Sequence, residues 1–134
     1  MQRGERGVDR AAVGGIMESG GGGMNVLPRA NKAVIPVEKF TKYSLDPNGD
    51  RNKAIAFERA LGYNVDNADK LIEQIRANLE KFPAKEKGNK GFGDTYEVVM
   101  NITGPNGKTA KVLTGWIDDV LNGEMRLTTA HIDD

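Results

Sequence analysis

Asn106-Gly107 stands between two runs of strand-forming residues, Thr95–Thr103 and Lys108–Trp116, and this constrains the fold more than any other short signal in the chain. Asn-Gly readily adopts the positive φ angles of a tight hairpin turn. The length of that turn decides which residues face each other. With a two-residue loop, Pro105 lies opposite Lys108, Ile102 opposite Lys111, Met100 opposite Leu113 and Val98 opposite Gly115. Side chains alternate strictly along a strand, so this register sorts both strands into two faces. Tyr96, Val98, Met100, Ile102, Leu113 and Ile117 then form the core face. Glu97, Val99, Asn101, Val112, Thr114 and Trp116 form the open face. A one-residue bulge would swap part of the assignment.

A second turn, with Asn122-Gly123, leads to a third strand over Met125–Ile132. If Leu127 joins the core, Arg126 and Thr128 point to the open face beside Thr114 and Trp116. Thr129 and His131 fall on the core side, unless a bulge or the strand end turns them out.

Upstream, Ala33–Pro36 reads as a short edge strand, since proline removes a ladder donor. A short helix over Val37–Tyr43 buries Phe40, and Asp46-Pro-Asn-Gly-Asp50 is dense turn chemistry. Asp50 caps a helix over Arg51–Leu61, which Gly62 stops. Asp66 or Asn67 opens a second helix with Leu71, Ile72, Ile75, Leu79 and Phe82 at helical spacing, ended by Pro83. Ala84–Gly93 reads as a polar loop carrying Lys85, Lys87 and Lys90. The fold class is α+β: a short strand and helices packed on one face of a C-terminal antiparallel meander. Residues 1–31, rich in glycine and poor in large apolar groups, read as a flexible tail or linker, and 32–134 as one domain.

Composition narrows the chemistry. Formal net charge is zero over 134 residues, so no global basic field announces nucleic acid or membrane. There is no cysteine and only one histidine, which rules out thiolate catalysis, disulfides and multi-histidine metal sites. No apolar run approaches the roughly 18 residues of a membrane span, and no apolar segment of a signal peptide stands at the N-terminus.

The candidate site residues lie mostly in the sheet. Arg126 with Thr114 and Thr128 suits a phosphate, because a guanidinium fork matches its oxygens and hydroxyls add donors; ordinary cross-strand polar pairs read the same way. Trp116 is a candidate for stacking a base or, equally, a packing anchor. His131 is a candidate proton carrier, with Glu97 as its competitor. Lys53, one position off its helix's apolar stripe, is placed to reach over the sheet edge to a phosphate, or to remain a solvated helix lysine.

Lys39, Tyr43-x-Leu45, Lys53-Ala54-x-x-Phe57, Leu61-Gly62-Tyr63, Leu71, Gly93-x-x-Tyr96, Gly104-x-x-Gly107-Lys108, Thr114-x-Trp116 and Arg126-Leu-Thr-Thr129 together resemble an uncharacterised bacterial domain family. Its members look like C-terminal modules of polymorphic toxins and phage head-associated proteins. The resemblance covers about residues 31–132. That family in turn is similar to the metal-independent RNases that include barnase, EndoU, colicin tRNases and RelE, in which a helical part precedes a curved antiparallel sheet bearing the catalytic residues. The resemblance marks Lys53, Thr114, Trp116, Arg126, Thr128 and Thr129, and leaves His131 unmarked.

The expected function is therefore a metal-independent endoribonuclease toxin domain acting on RNA, tRNA among the candidates, with no cofactor. Arg126, Lys53, Thr128 and His131 are the expected catalytic residues, and Thr114, Trp116, Thr129 and Glu97 the substrate-binding ones. The expected partners are an RNA substrate and a cognate immunity protein, with no membrane and the oligomeric state open. The expected place is the cytoplasm of a producing or target bacterial cell, reached as the C-terminal part of a larger exported or virion protein. The alternatives are a non-catalytic phage or mobile-element module that binds a protein through the open sheet face and, third, a nucleotide-using transferase.

Overall fold

The computed structural model describes residues 25–89 and 91–133. Most of the expected tail, and Lys90, lie outside them. Helix α1 (Arg51–Leu61) begins where Asp50 accepts the Lys53 amide and ends at Gly62, which adopts φ 84° and donates to the Phe57 and Glu58 carbonyls. Ala54, Phe57 and Leu61 form its buried stripe. A short 3-10 turn, in which Asn64 and Asn67 cap each other, leads into α2 (Ala68–Asn78). Leu71, Ile75 and the following Leu79 are buried, and the helix stops before Pro83 is reached.

Four strands follow: β1 (Ala84–Asn89), β2 (Asp94–Thr103), β3 (Thr109–Asp119) and β4 (Glu124–Ile132). They form one antiparallel sheet in the order β1-β2-β3-β4, so the chain is an α+β fold with its sheet at the C-terminus. Strand β1 corrects the expected Ala84–Gly93 loop. It is a mostly exposed edge strand, Ala-Lys-Glu-Lys-Gly-Asn, with no apolar alternation to mark it. Lysines on such an edge oppose pairing with another chain.

The first hairpin differs from expectation by one residue. Thr103 pairs with Thr109, Met100 with Val112 and Val98 with Thr114. The loop is Pro105-Asn106-Gly107, closed by the Gly104 amide on the Lys108 carbonyl at 2.9 Å, with Gly107 at φ 84°. The physical reason is Pro105. In a two-residue loop it would occupy the closing pair, where its missing N–H leaves a ladder bond unmade. Inside a three-residue loop its fixed φ suits the first corner position. One residue of slip exchanges the faces of β3. Val112, Thr114 and Trp116 therefore join Val98, Met100 and Ile102 in the core, while Leu113 and Ile117 move to the open face.

Between β3 and β4 the sheet carries the bulge that the alternation left open. Trp116 pairs with Leu127 and Gly115 with Thr129, so Thr128 is the extra residue. Met125, Leu127 and Ala130 are buried against the helices. Thr129 and His131 share rows with Gly115 and Leu113, which puts them on the open face rather than the core side.

The segment ahead of α1 straps the sheet. The Asn25 carbonyl accepts the Ala84 amide of β1, Arg29 pairs with Asp118 of β3, and Val34 bonds Met125 and Leu127 of β4 at 2.7 and 2.9 Å. Leu27 and Ala30 beneath it are core residues, upstream of the Lys32 start expected from composition. The expected short strand is thus a single parallel bridge at Val34. The expected Val37–Tyr43 helix culminates in a π-helical turn, Phe40–Ser44, with Phe40 fully buried.

Candidate functional site

Gly115 is the centre of the open face. Its row runs Glu97 on β2, Gly115 on β3, Thr129 on β4. One row away lie Thr95, Ile117 and Arg126, and on the other side Val99, Leu113 and His131. Adjacent strands are about 4.8 Å apart, so Glu97 and Thr129 stand roughly 10 Å from each other across a residue with no side chain. The result is a shallow trough in which the Thr128 and Thr129 side chains already cover the buried glycine. An acid on β2 faces hydroxyls on β4, with a guanidinium and an imidazole on β4 one row to either side.

The β4 wall is reinforced from α1. Lys53 Nζ donates to Thr129 Oγ1 at 2.9 Å and stands 3.7 Å from the Asp50 carboxylate. Its side chain is one-third exposed. A Cβ on Gly115 would meet Thr129 Cγ2 at 2.8 Å and Thr128 Oγ1 at 3.2 Å, so both threonines lean over the glycine. Behind them a cleft of about 250 Å³ opens, lined by Lys39, Tyr43, Asp50 and Lys53 as well as the threonines.

Arg126 pairs with Glu124, two residues before it on β4. Glu97 faces Lys85 across β1–β2 and lies 3.9 Å from Lys87, a half-solvated pair of little energetic weight. His131 is half-buried, with Nδ1 3.0 Å from the Ile132 carbonyl. A proton on Nδ1 donated there leaves Nε2 as the acceptor. Beyond Arg126, Asp119 accepts from the Asn122 side chain and from the Leu121 and Asn122 amides, and this holds its carboxyl below the ordinary range. Among the described residues no group of three or more His, Cys, Asp or Glu side chains is arranged to hold a metal ion.

Of the eight sequence candidates, six cluster around Gly115: Lys53, Glu97, Arg126, Thr128, Thr129 and His131. Thr114 and Trp116 do not. They are buried in the core, where the indole N–H donates to Thr114 Oγ1 at 2.8 Å and that hydroxyl donates to the Val98 carbonyl at 2.8 Å. Neither is open to a phosphate or a base, and the expectation that they face solvent is corrected. Sequence reasoning missed Gly115 itself. A glycine inside a strand marks a close approach, and that was the available signal. It also passed over Tyr43 and Asp50 as cleft residues.

A family model described as Domain of unknown function (DUF6883) matches residues 26–134. None of the curated proteins matches the sequence. Among solved structures, a chain of a contact-dependent growth inhibition toxin–immunity protein complex from Klebsiella pneumoniae 342 is similar, with TM-score 0.58 and 16% identity over 75% of this chain and 99% of that one. At that identity the likeness establishes a shared fold. No helix among the described residues is long and apolar enough to cross a membrane.

Proposed function

We infer that this chain, which belongs to the DUF6883 family, is a toxin domain that cleaves RNA without a metal. The observation that carries the reading is the grouping of chemistry on the open face around Gly115. The register brings a carboxylate, an imidazole and a guanidinium onto that face, and Lys53 adds an ammonium bonded to Thr129, whose exposed side a phosphate can approach. RNA cleavage needs no more than these groups. A base removes the 2′-OH proton, the oxygen attacks phosphorus, and an acid protonates the departing 5′-oxygen, leaving a 2′,3′-cyclic phosphate and a 5′-hydroxyl. Glu97 on β2 and His131, one row along on β4, are the base and acid. Arg126 and Lys53 offset the charge that builds on the phosphorane. Thr128 and Thr129 orient its oxygens.

The shared fold with a chain of a toxin–immunity complex supports the toxin half of the reading. A cognate immunity protein would close the trough, and an apolar shelf adjoins it for anchorage: Phe92, Val120 and Leu121 are exposed by 75, 69 and 89% beside Ile117. We place the site of action in the cytoplasm of a bacterial target. The test is induced expression in a bacterial host, with RNA ends mapped. The expected result is growth arrest with cyclic-phosphate ends, relieved by Arg126→Ala. Harmless expression with intact RNA, or protection of a host against a toxin, would overturn it; protection would assign the fold's immunity role instead.

A further inference from the structure

The cleft behind Thr128 and Thr129 is built more firmly than a solvated crevice requires. One wall is the π-helical turn Phe40–Ser44. Such turns are rare and recur at functional sites. Here the turn delivers Tyr43 to the cleft mouth, 55% exposed, with Lys39 Nζ 5.8 Å from its ring centroid. Three contacts fix that wall. Ser44 Oγ donates to the Ala130 carbonyl on the β4 edge, and the Asp46 and Asp50 amides both donate to the Tyr43 carbonyl. Gly49 lets the turn fold back, since a Cβ there would stand 2.0 Å from the Lys42 carbonyl oxygen. The backbone that carries an exposed aromatic ring is thus pinned at the mouth of the cleft, next to the trough.

The polar groups inside argue against a second phosphate. Asp50 lies 3.7 Å from Lys53 Nζ, and a phosphate placed on Lys53 from this side would meet that carboxylate. A neutral ligand offering a donor beside an acceptor meets no such penalty. Asp50 Oδ1 accepts the Lys53 amide, and Oδ2, the oxygen 3.7 Å from Lys53 Nζ, keeps a lone pair for an N–H. Lys53 has three N–H donors, one of them on Thr129, so another is available for a carbonyl. A flat ring, an N–H and an adjacent carbonyl are together a keto nucleobase. The cleft, at about 250 Å³, is below the roughly 300 Å³ where pockets for whole small molecules begin, and suits part of a ligand.

Resting on the RNA-cleaving reading, we propose that this cleft seats a base of the RNA strand whose phosphate lies against Thr128 and Thr129. Tyr43 stacks the base. Asp50 and Lys53 favour guanine or uracil, whose acidic ring N–H is a stronger donor to a carboxylate than the amino N–H that adenine and cytosine set beside a ring nitrogen. Lys53 stands at the junction, touching the base on one side and the phosphate site through Thr129 on the other.

Calorimetric titration of the whole chain with GMP, UMP, AMP and CMP tests this without any cleavage. GMP and UMP are expected to bind more tightly than AMP and CMP. Tyr43→Ala weakens that binding roughly tenfold, within the range measured for base–aromatic stacking, and Tyr43→Phe keeps it. Asp50→Asn retains the helix cap, since asparagine caps as well as aspartate, and erases the keto preference. Equal affinity for all four nucleotides, no binding, or an unchanged Tyr43→Ala protein overturns the proposal. Keto-selective binding by a protein that leaves RNA intact would sink the nuclease reading alone. Cleavage without selective binding would sink the base seat alone.

Discussion

Replacing Thr114 by valine tests whether the hydroxyl belongs to the core rather than to a site. The two side chains have nearly the same shape, so the change isolates one oxygen. That oxygen is wholly buried and has two partners: it accepts from the Trp116 indole and donates to the Val98 carbonyl, both at 2.8 Å. Valine leaves the indole N–H in the core without an acceptor, which costs about 1–3 kcal/mol, and removes one bond from Val98. The expected loss is about 2–3 kcal/mol. Trp116→Phe removes the orphaned donor in advance, so Thr114→Val in that background should cost about 1 kcal/mol less. The assay is urea unfolding of the four proteins of this cycle, followed by far-ultraviolet circular dichroism because one variant pair lacks the tryptophan. Wild-type stability for Thr114→Val, or strict additivity of the pair, would refute the buried relay.

Gly104→Ala drives a Cβ to 2.0 Å from the Leu61 carbonyl oxygen and 2.6 Å from its carbonyl carbon, against backbone that has little room to yield. A loss of about 3 kcal/mol is expected in thermal melts, the upper end for overpacking. Gly115→Ala puts a Cβ 2.8 Å from Thr129 Cγ2 and 3.2 Å from Thr128 Oγ1, so Thr129 has to turn and give up its bond from Lys53 while the fold persists; full RNA cleavage by this variant would mean that the Lys53–Thr129 pair is not part of the phosphate site. At high pH, burial holds Tyr63 protonated above its ordinary value of 10.0. The native state then keeps a proton that the unfolded chain loses, so this contribution is whole below pH 10 and disappears as pH rises through the folded value. Stability measured from pH 9 to 11 should fall less steeply for Tyr63→Phe than for the wild type.

Helix α1 was legible to the residue because its ends are written in local chemistry, Asp50 as cap and Gly62 as stop. The core stripes of both helices followed from spacing alone. The sheet was legible in kind and misplaced in phase. Pro105, Asn106 and Gly107 contain the information that sets the loop length, but the Asn-Gly signal outweighed the proline's missing donor. That single residue moved Thr114 and Trp116 inside and brought Leu113 and Ile117 out. The bulge at Thr128 compensated on the next strand and returned Thr129 and His131 to the open face. Strand β1 left no trace in apolar patterning because an edge strand can be solvated on nearly every side chain. The cleft depended on the π-turn and on Lys53 reaching Thr129 from 76 positions away, and neither is a local property.

The strap from Asn25 to Val34 also has a mechanical meaning. It touches β1 with one backbone bond, β3 with one ion pair and β4 with two backbone bonds, each at a different point along the strap. A pull on the chain ahead of Asn25 therefore loads these links one after another, as a zipper, rather than all at once. The first links to fail uncover Leu27 and Ala30, and the last bare the β4 edge beside the trough. A domain tethered from its N-terminal side would resist such a pull weakly, whereas the long β2–β3 ladder would hold until the strap had gone.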